Sequence, residues 1–199
     1  WRESLSRGIP SGGTVEEPRD RSEAFFGLDE FRARMRSRAG QFGIGLRDGE
    51  QFGFSVAGGR IRGHVDGIVA AAPEALKLGV PALWECKTMN AKNWRETVAK
   101  GVVLAKPIYA AQIALYQAYM EAQVPGISQN PALFTAINKD TAELHHELIP
   151  FNAELAQRMS DRAVRILHAA EADDLLPRVA LERDHFECRM CSYTSTCWR

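Results

Sequence analysis

The sequence has no uninterrupted apolar run long enough to span a bilayer. Its best stretch, Gly67 to Leu83, is broken by Pro73, Glu74, Lys77 and Pro81. No basic-then-apolar leader opens it, so secretion has no support and the cytoplasm is the expected compartment. Cysteine is scarce: four in 199 residues, none before Cys86, which is no secreted disulfide framework. An excess of one charge is also missing. With 25 Lys+Arg against 25 Asp+Glu, a histone-like binder is excluded, and any nucleic-acid site must come from local placement of cations.

What is present is an ordinary globular composition. A hydrophobic fraction of 45% over this length fits one domain with a real core and a small appendage. The chain opens on Trp1 rather than Met, which leaves room for residues upstream. Residues 1–21, with Gly8, Pro10, Gly12, Gly13 and Pro18, read as an irregular arm. Residues 22–180 read as the main domain and 181–199 as a cysteine-rich tail.

Within the main domain a helix is expected from Ser22 to about Ala39, with Phe25, Phe26, Leu28, Phe31 and Met35 on one face. A strand from Gln51 to Val56 precedes Ala57-Gly58-Gly59, a hairpin signal, and a return strand is expected from Arg60 to Ala70. A third strand covers Ala82 to Lys87. Pro107 suits the first turn of a helix ending near Ala122. Strands follow over Leu133 to Asn138 and Leu144 to Pro150. Asn152 then caps a helix carrying Leu155, Met159, Ala163, Ile166 and Leu167 on its apolar face. The order implies an α/β fold with a mixed sheet.

Three pieces carry chemistry: Gly63-His64-Val65-Asp66-Gly67 in the second strand, Trp84-Glu85-Cys86-Lys87 in the third, and Gln112 with Tyr116 one turn apart on a helix. Strand alternation places Glu85 and Lys87 on one face and Cys86 on the other. If the two strands pair, Asp66 joins them. Converging carboxylates call for a cation, and hard oxygen ligands select Mg²⁺ or Mn²⁺. A nearby ammonium can orient water or stabilise charge at a phosphate. Taken alone, Glu-x-Lys at a strand end is more often a solvated ion pair. His64 shares a face with Asp66 and fits either a supporting role or ordinary packing.

Asp66, Glu85-Cys86-Lys87 and Gln112-x-x-x-Tyr116, in that order, resemble the PD-(D/E)XK nuclease superfamily, and most of all its RecB-like exonuclease branch with CRISPR-associated and phage-encoded members. The resemblance covers about residues 22–199. It implies a restriction-endonuclease-like core, with the mixed central sheet flanked by helices and a small C-terminal Cys-rich metal clip. It also implies a metal-dependent exonuclease acting on DNA in recombination, repair or phage replication. Asp66 and Glu85 would be metal ligands, with the Cys86 carbonyl as a third and Glu30 on the first helix completing the shell. Lys87 would be the catalytic lysine, with Gln112 and Tyr116 positioning it or the DNA. A recombination protein or a second copy of the chain is a possible partner. A non-catalytic nucleic-acid-binding module and a hydrolase of other phosphoesters stand as rivals.

The tail reads His185-x-x-Cys188-x-x-Cys191, then Cys197. This clustering argues for a metal or cluster. Zn²⁺ takes four N/S ligands and would use His185, Cys188, Cys191 and Cys197; a [4Fe-4S] cluster wants four thiolates. The spacing also resembles the C-terminal part of the iron–sulfur staple of RecB-like nucleases, which implies a fourth cysteine from the N-terminal region, either upstream of Trp1 or replaced here by His185. Tyr193 and Trp198 are expected to pack on the clip. For DNA contacts, the densest basic stretch holds Lys92, Trp94, Arg95, Lys100 and Lys106, with Asn90 and Asn93. Its cations suit phosphates and its Trp an unpaired base; the alternative is a solvated helix anchored by one Trp.

Overall fold

The computed structural model describes Gly45–Leu46 and residues 52–198. The expected arm over 1–21, the first helix over 22–39 with Glu30, and the start of the first strand at Gln51 lie outside the described residues.

The strands are β1 (Gly45–Leu46), β2 (Gly53–Val56), β3 (Ile61–His64), β4 (Gly67–Ala71), β5 (Ala82–Met89), β6 (Ala132–Asn138) and β7 (Leu144–Ile149). The helices are α1 (Ala91–Lys100), α2 (Val102–Ala105), α3 (Pro107–Met120), α4 (Ala153–Ala172), α5 (Phe186–Arg189) and α6 (Thr194–Cys197). The described residues divide into two compact units, with the boundary between Asp161 and Arg162, inside α4.

The first unit is a mixed α/β structure. Its five-stranded sheet has the order β1-β4-β5-β6-β7. Among the described strands, β5–β6 is parallel, and β1–β4, β4–β5 and β6–β7 are antiparallel. β5 is the middle strand, and its first five residues are all buried, as expected of a strand covered on both faces. β7 is an edge strand, and its first five residues alternate exposed with half-buried.

The return strand expected over Arg60 to Ala70 is two strands in two different sheets. β3 pairs with β2 in a separate two-stranded hairpin, and β4 joins the main sheet. The break falls at Val65-Asp66, so Asp66 sits at a junction rather than in mid-strand. The cause is visible in the hydrogen bonds. Val65 donates its N–H to the Phe52 carbonyl at 2.9 Å, on the hairpin side, so it is lost to the main sheet.

The helices begin where the sequence gives them caps. The Asn90 side chain accepts the Asn93 N–H at 2.9 Å, and α1 starts there. Pro107 occupies the first turn of α3. Asn152 accepts the Leu155 N–H at 2.9 Å, as its position before α4 implies. Along α4, Ile166 is exposed rather than on the buried stripe, and Ala156 is buried in its place.

The main core lies on one face of the sheet. Leu83, Met89, Ala132, Phe134, Ala136 and Ile149 from the strands meet Ala110, Ile113 and Met120 of α3 and Val102 of α2. The opposite face carries a smaller cluster of Val69, Ala82, Trp84, Cys86 and Ile137. Beside it, Trp84 Nε1 donates to Thr135 Oγ1 at 3.0 Å, which is also 3.0 Å from His146 Nδ1.

Candidate active site

β5 brings Glu85 and Lys87 to the face shared with α3. The register confirms this row by row: Glu85 lies beside Phe134, and Lys87 beside Ala136. Cys86 points to the other face, within the smaller cluster, as strand alternation requires.

Glu85 is 1% exposed. A buried carboxylate is costly without a charge partner, and here Lys87 Nζ donates to Glu85 Oε1. The Lys87 side chain is 24% exposed, so the pair opens to solvent from the lysine end. Burial by itself pulls the Lys87 ammonium down, and it is the largest single influence. The Glu85 hydrogen bond and charge, with Asp66 and Tyr109 behind them, outweigh it, and the net shift is upward.

Asp66 joins the site from the neighbouring chain segment. Its Oδ2 accepts the Cys86 backbone N–H at 2.9 Å. The last backbone pair between β4 and β5 is Gly67 with Trp84. One step further, the carboxylate replaces the backbone that has turned away into the hairpin. Two carboxylates and one ammonium therefore converge on the stretch 85–87.

Gln112 and Tyr116 are on α3, both half-buried. Tyr116 packs edge-on against Phe54 at 5.4 Å, toward the hairpin. The residue of α3 that meets the lysine is Tyr109: Lys87 Nζ is 5.6 Å from its ring centroid, and the ring stacks on Phe134 at 6.3 Å. Sequence reading missed Tyr109. The available signal was its spacing, three residues before Gln112 and seven before Tyr116, which puts all three along one side of the helix.

The basic stretch forms α1 and the turn after it. Lys92 and Arg95 are exposed. Lys100 is paired with Glu96 at 2.9 Å, and Lys106 reaches Asn93 at 2.9 Å and Glu96 at 3.4 Å. Trp94 packs partly buried against the core, with its indole N–H buried and without a hydrogen-bond partner. It anchors the helix, which is the alternative to an open stacking platform.

In the second unit, Cys188 is buried while Cys191 and Cys197 are exposed. Cys188 and Cys191 line an open hollow of about 430 Å³ with Arg183, Asp184, Arg189 and Thr194. The Tyr193 N–H points at Cys191 Sγ, 3.4 Å away. His185 lies against Phe186, with Nδ1 4.0 Å from Glu187. Trp198 stacks under the Arg178 guanidinium at 4.6 Å. Among the described residues, no three His, Cys, Asp or Glu side chains are arranged to hold a metal ion. None of the described helices is long and apolar enough to cross a membrane.

No protein-family model matches the chain, and no curated protein matches it. Among solved structures, "Crystal structure of SSO0001" aligns at a TM-score of 0.43 and 16% identity, covering 85% of this chain and 67% of that chain. A likeness of that size carries no argument about family or function.

Proposed function

We propose that the chain is a metal-dependent DNA nuclease that hydrolyses phosphodiester bonds, acting as an exonuclease on a restriction-endonuclease-like core. The observation that carries this reading is the convergence of Asp66, Glu85 and Lys87 on β5. Asp66 is held there by the Cys86 N–H, and Glu85 by the Lys87 ammonium.

The donor set fits Mg²⁺ or Mn²⁺. These hard cations are commonly bound by one or two carboxylates, with water and substrate phosphates completing the shell. Asp66 and Glu85 would hold the ion, with the carbonyl of Cys86, the residue after Glu85, as a third ligand. When bound, the ion polarises a phosphoryl oxygen and lowers the pKa of its water. The chain's own part is positional. Asp66 is fixed by a backbone donor, Glu85 by burial, and Lys87 by Glu85 on one side and the Tyr109 ring on the other. An ammonium so placed can stabilise charge developing on a phosphate. Lys92 and Arg95 on α1, which directly follows β5, supply phosphate contacts.

The tail is proposed as a structural clip for Zn²⁺ or a [4Fe-4S] cluster. Cys188 and Cys191 share one hollow, which supports a common role. Cys197 with His185, or with a cysteine from outside this chain, would complete the set. Visible absorbance in anaerobically purified protein separates iron from zinc.

A second reading, a nucleic-acid-binding module without turnover, draws on the Lys87–Glu85 pair, in which the chain's own ammonium neutralises the buried carboxylate. The deciding experiment is degradation of end-labelled linear and circular DNA with Mg²⁺ or Mn²⁺, wild type beside Lys87→Ala. Metal-dependent loss of linear DNA, reduced on the order of 100-fold or more in the variant, supports the nuclease. Folded wild type that binds DNA without cutting it supports the binding module instead.

A further inference from the structure

The β2–β3 hairpin stands outside the main sheet, and its two faces differ in kind. Phe54 is buried and packs against Tyr116 and Tyr119 of α3, with Phe52, Val56 and Ile61 beside it. The other face carries Ser55, Arg62 and His64, all exposed, and Ser55 lies directly across from Arg62. Gly53 is across from His64, and a Cβ on Gly53 would come 2.7 Å from the His64 ring. Gly53 thus makes room for the His64 imidazole to lie over it, while the small Ser55 keeps the face low across from Arg62.

The charge on this segment is one-sided. Residues 52–65 contain Arg60, Arg62 and His64 and no Asp or Glu, in a chain whose charges otherwise balance. Arg62 has no carboxylate within ion-pair reach among the described residues, and its Nε donates to the Gly59 carbonyl at 2.7 Å. That tether orients the guanidinium without neutralising it. Two residues beyond His64 the chain reaches Asp66, so the basic face ends at the candidate metal site.

We infer that the outer face of the hairpin, through Arg62 and His64, is a docking surface for the sugar–phosphate backbone of a nucleic acid strand and delivers that strand to Asp66 and Glu85. The inference rests on the nuclease reading for its substrate class and adds a contact surface separate from α1. Arg62 binds a phosphate, His64 supplies a hydrogen-bond donor, and the small Ser55 across from Arg62 lets the strand lie close. Sequence preference is not expected, because phosphate contacts carry none.

The test is fluorescence anisotropy of a labelled single-stranded oligonucleotide with the full chain in EDTA, as a function of salt. Arg62→Gln keeps a donor for the Gly59 carbonyl but removes the charge, and Arg62→Lys keeps the charge. Arg62→Gln should weaken binding about three- to tenfold at low salt and make the log K against log[salt] slope shallower by about 0.7, whereas Arg62→Lys should keep the wild-type slope. A purely structural role would not move the slope. Equal affinity and slope in wild type and Arg62→Gln overturns the docking surface, while loss of cleavage in Lys87→Ala would still uphold the nuclease. The reverse pattern, a shallower slope with no Lys87-dependent cleavage, keeps the surface and removes the nuclease. Wild type that binds no oligonucleotide overturns the docking surface, and the nuclease then stands or falls on Lys87-dependent cleavage alone.

Discussion

The Asp66 carboxylate accepts the Cys86 N–H where the backbone pairing of β4 with β5 has ended. One side chain thus completes a ladder and supplies a site charge, and the two roles separate by mutation. Asp66→Asn retains an acceptor and should melt close to wild type while losing metal-dependent activity. Asp66→Ala leaves the N–H without its acceptor and should lose about 1–3 kcal/mol of stability as well. Thermal melts beside the DNA degradation assay check this. Equal melting of the two variants would show that the bond adds no stability.

Lys87 is the charge partner of a carboxylate that is 1% exposed. Lys87→Met should destabilise by about 3–5 kcal/mol, and the double variant Glu85→Gln/Lys87→Met should recover most of that loss. Because the ammonium and a divalent cation would share Glu85, Mn²⁺ should raise the melting temperature of Lys87→Met more than that of wild type. Equal shifts in a thermal melt with and without Mn²⁺ would show that they do not compete.

Gly63, in the hairpin, leaves no room for a side chain beside Tyr116 of α3. A Cβ there would sit 2.5 Å from Phe54 Cζ and 2.9 Å from Tyr116 Cε1, against two packed rings. Gly63→Ala should cost about 1–3 kcal/mol. If the hairpin guides substrate, the variant should also raise KM for DNA more than it lowers kcat. Denaturant unfolding and steady-state kinetics test the two halves.

His146 is held below its usual range, first by burial and second by the neighbouring His145. A base whose folded pKa is depressed binds its proton more readily when unfolded. Its stabilising contribution is therefore full above pH 6.5 and declines as pH falls below that value toward the folded pKa. Replacement with Gln should flatten the stability profile across that interval. Urea midpoints measured on both sides of pH 6.5 give the answer, and unchanged pH dependence in His146→Gln would assign the slope to another group.

Much of this was legible in residue order. The face shared by Glu85 and Lys87, the Asn152 cap and the Pro107 start follow from local rules, and local rules hold here. The division of residues 60–70 between two sheets was not legible. Ile61, Gly63 and Val65 alternate inward, and Ile68 and Val69 continue an apolar run, so the pattern fits one strand. Which sheet a strand joins depends on where its N–H groups find partners, and Val65 finds Phe52. Tyr109 was missed for a related reason. Its contact with Lys87 exists only once α3 has docked across β5, and no local pattern encodes that docking. The basic stretch offered a helix only as the alternative to DNA contacts, and its internal pairing, in which Glu96 occupies two of the lysines, was not legible.

The parallel pairing of β5 with β6 has a kinetic consequence. Parallel neighbours require a crossover, and here it is the whole run from Asn90 to Pro131, containing α1, α2 and α3. Closing so long a loop delays the pairing until the intervening helices are in place. The hairpin, by contrast, can zip up locally within microseconds. Folding should then show early protection of hairpin amides and late protection of β5 and β6 in pulsed hydrogen exchange. The strand bearing Glu85 and Lys87 would be among the last to settle, so nascent chains still lacking β6 would not yet hold Asp66, Glu85 and Lys87 in one place.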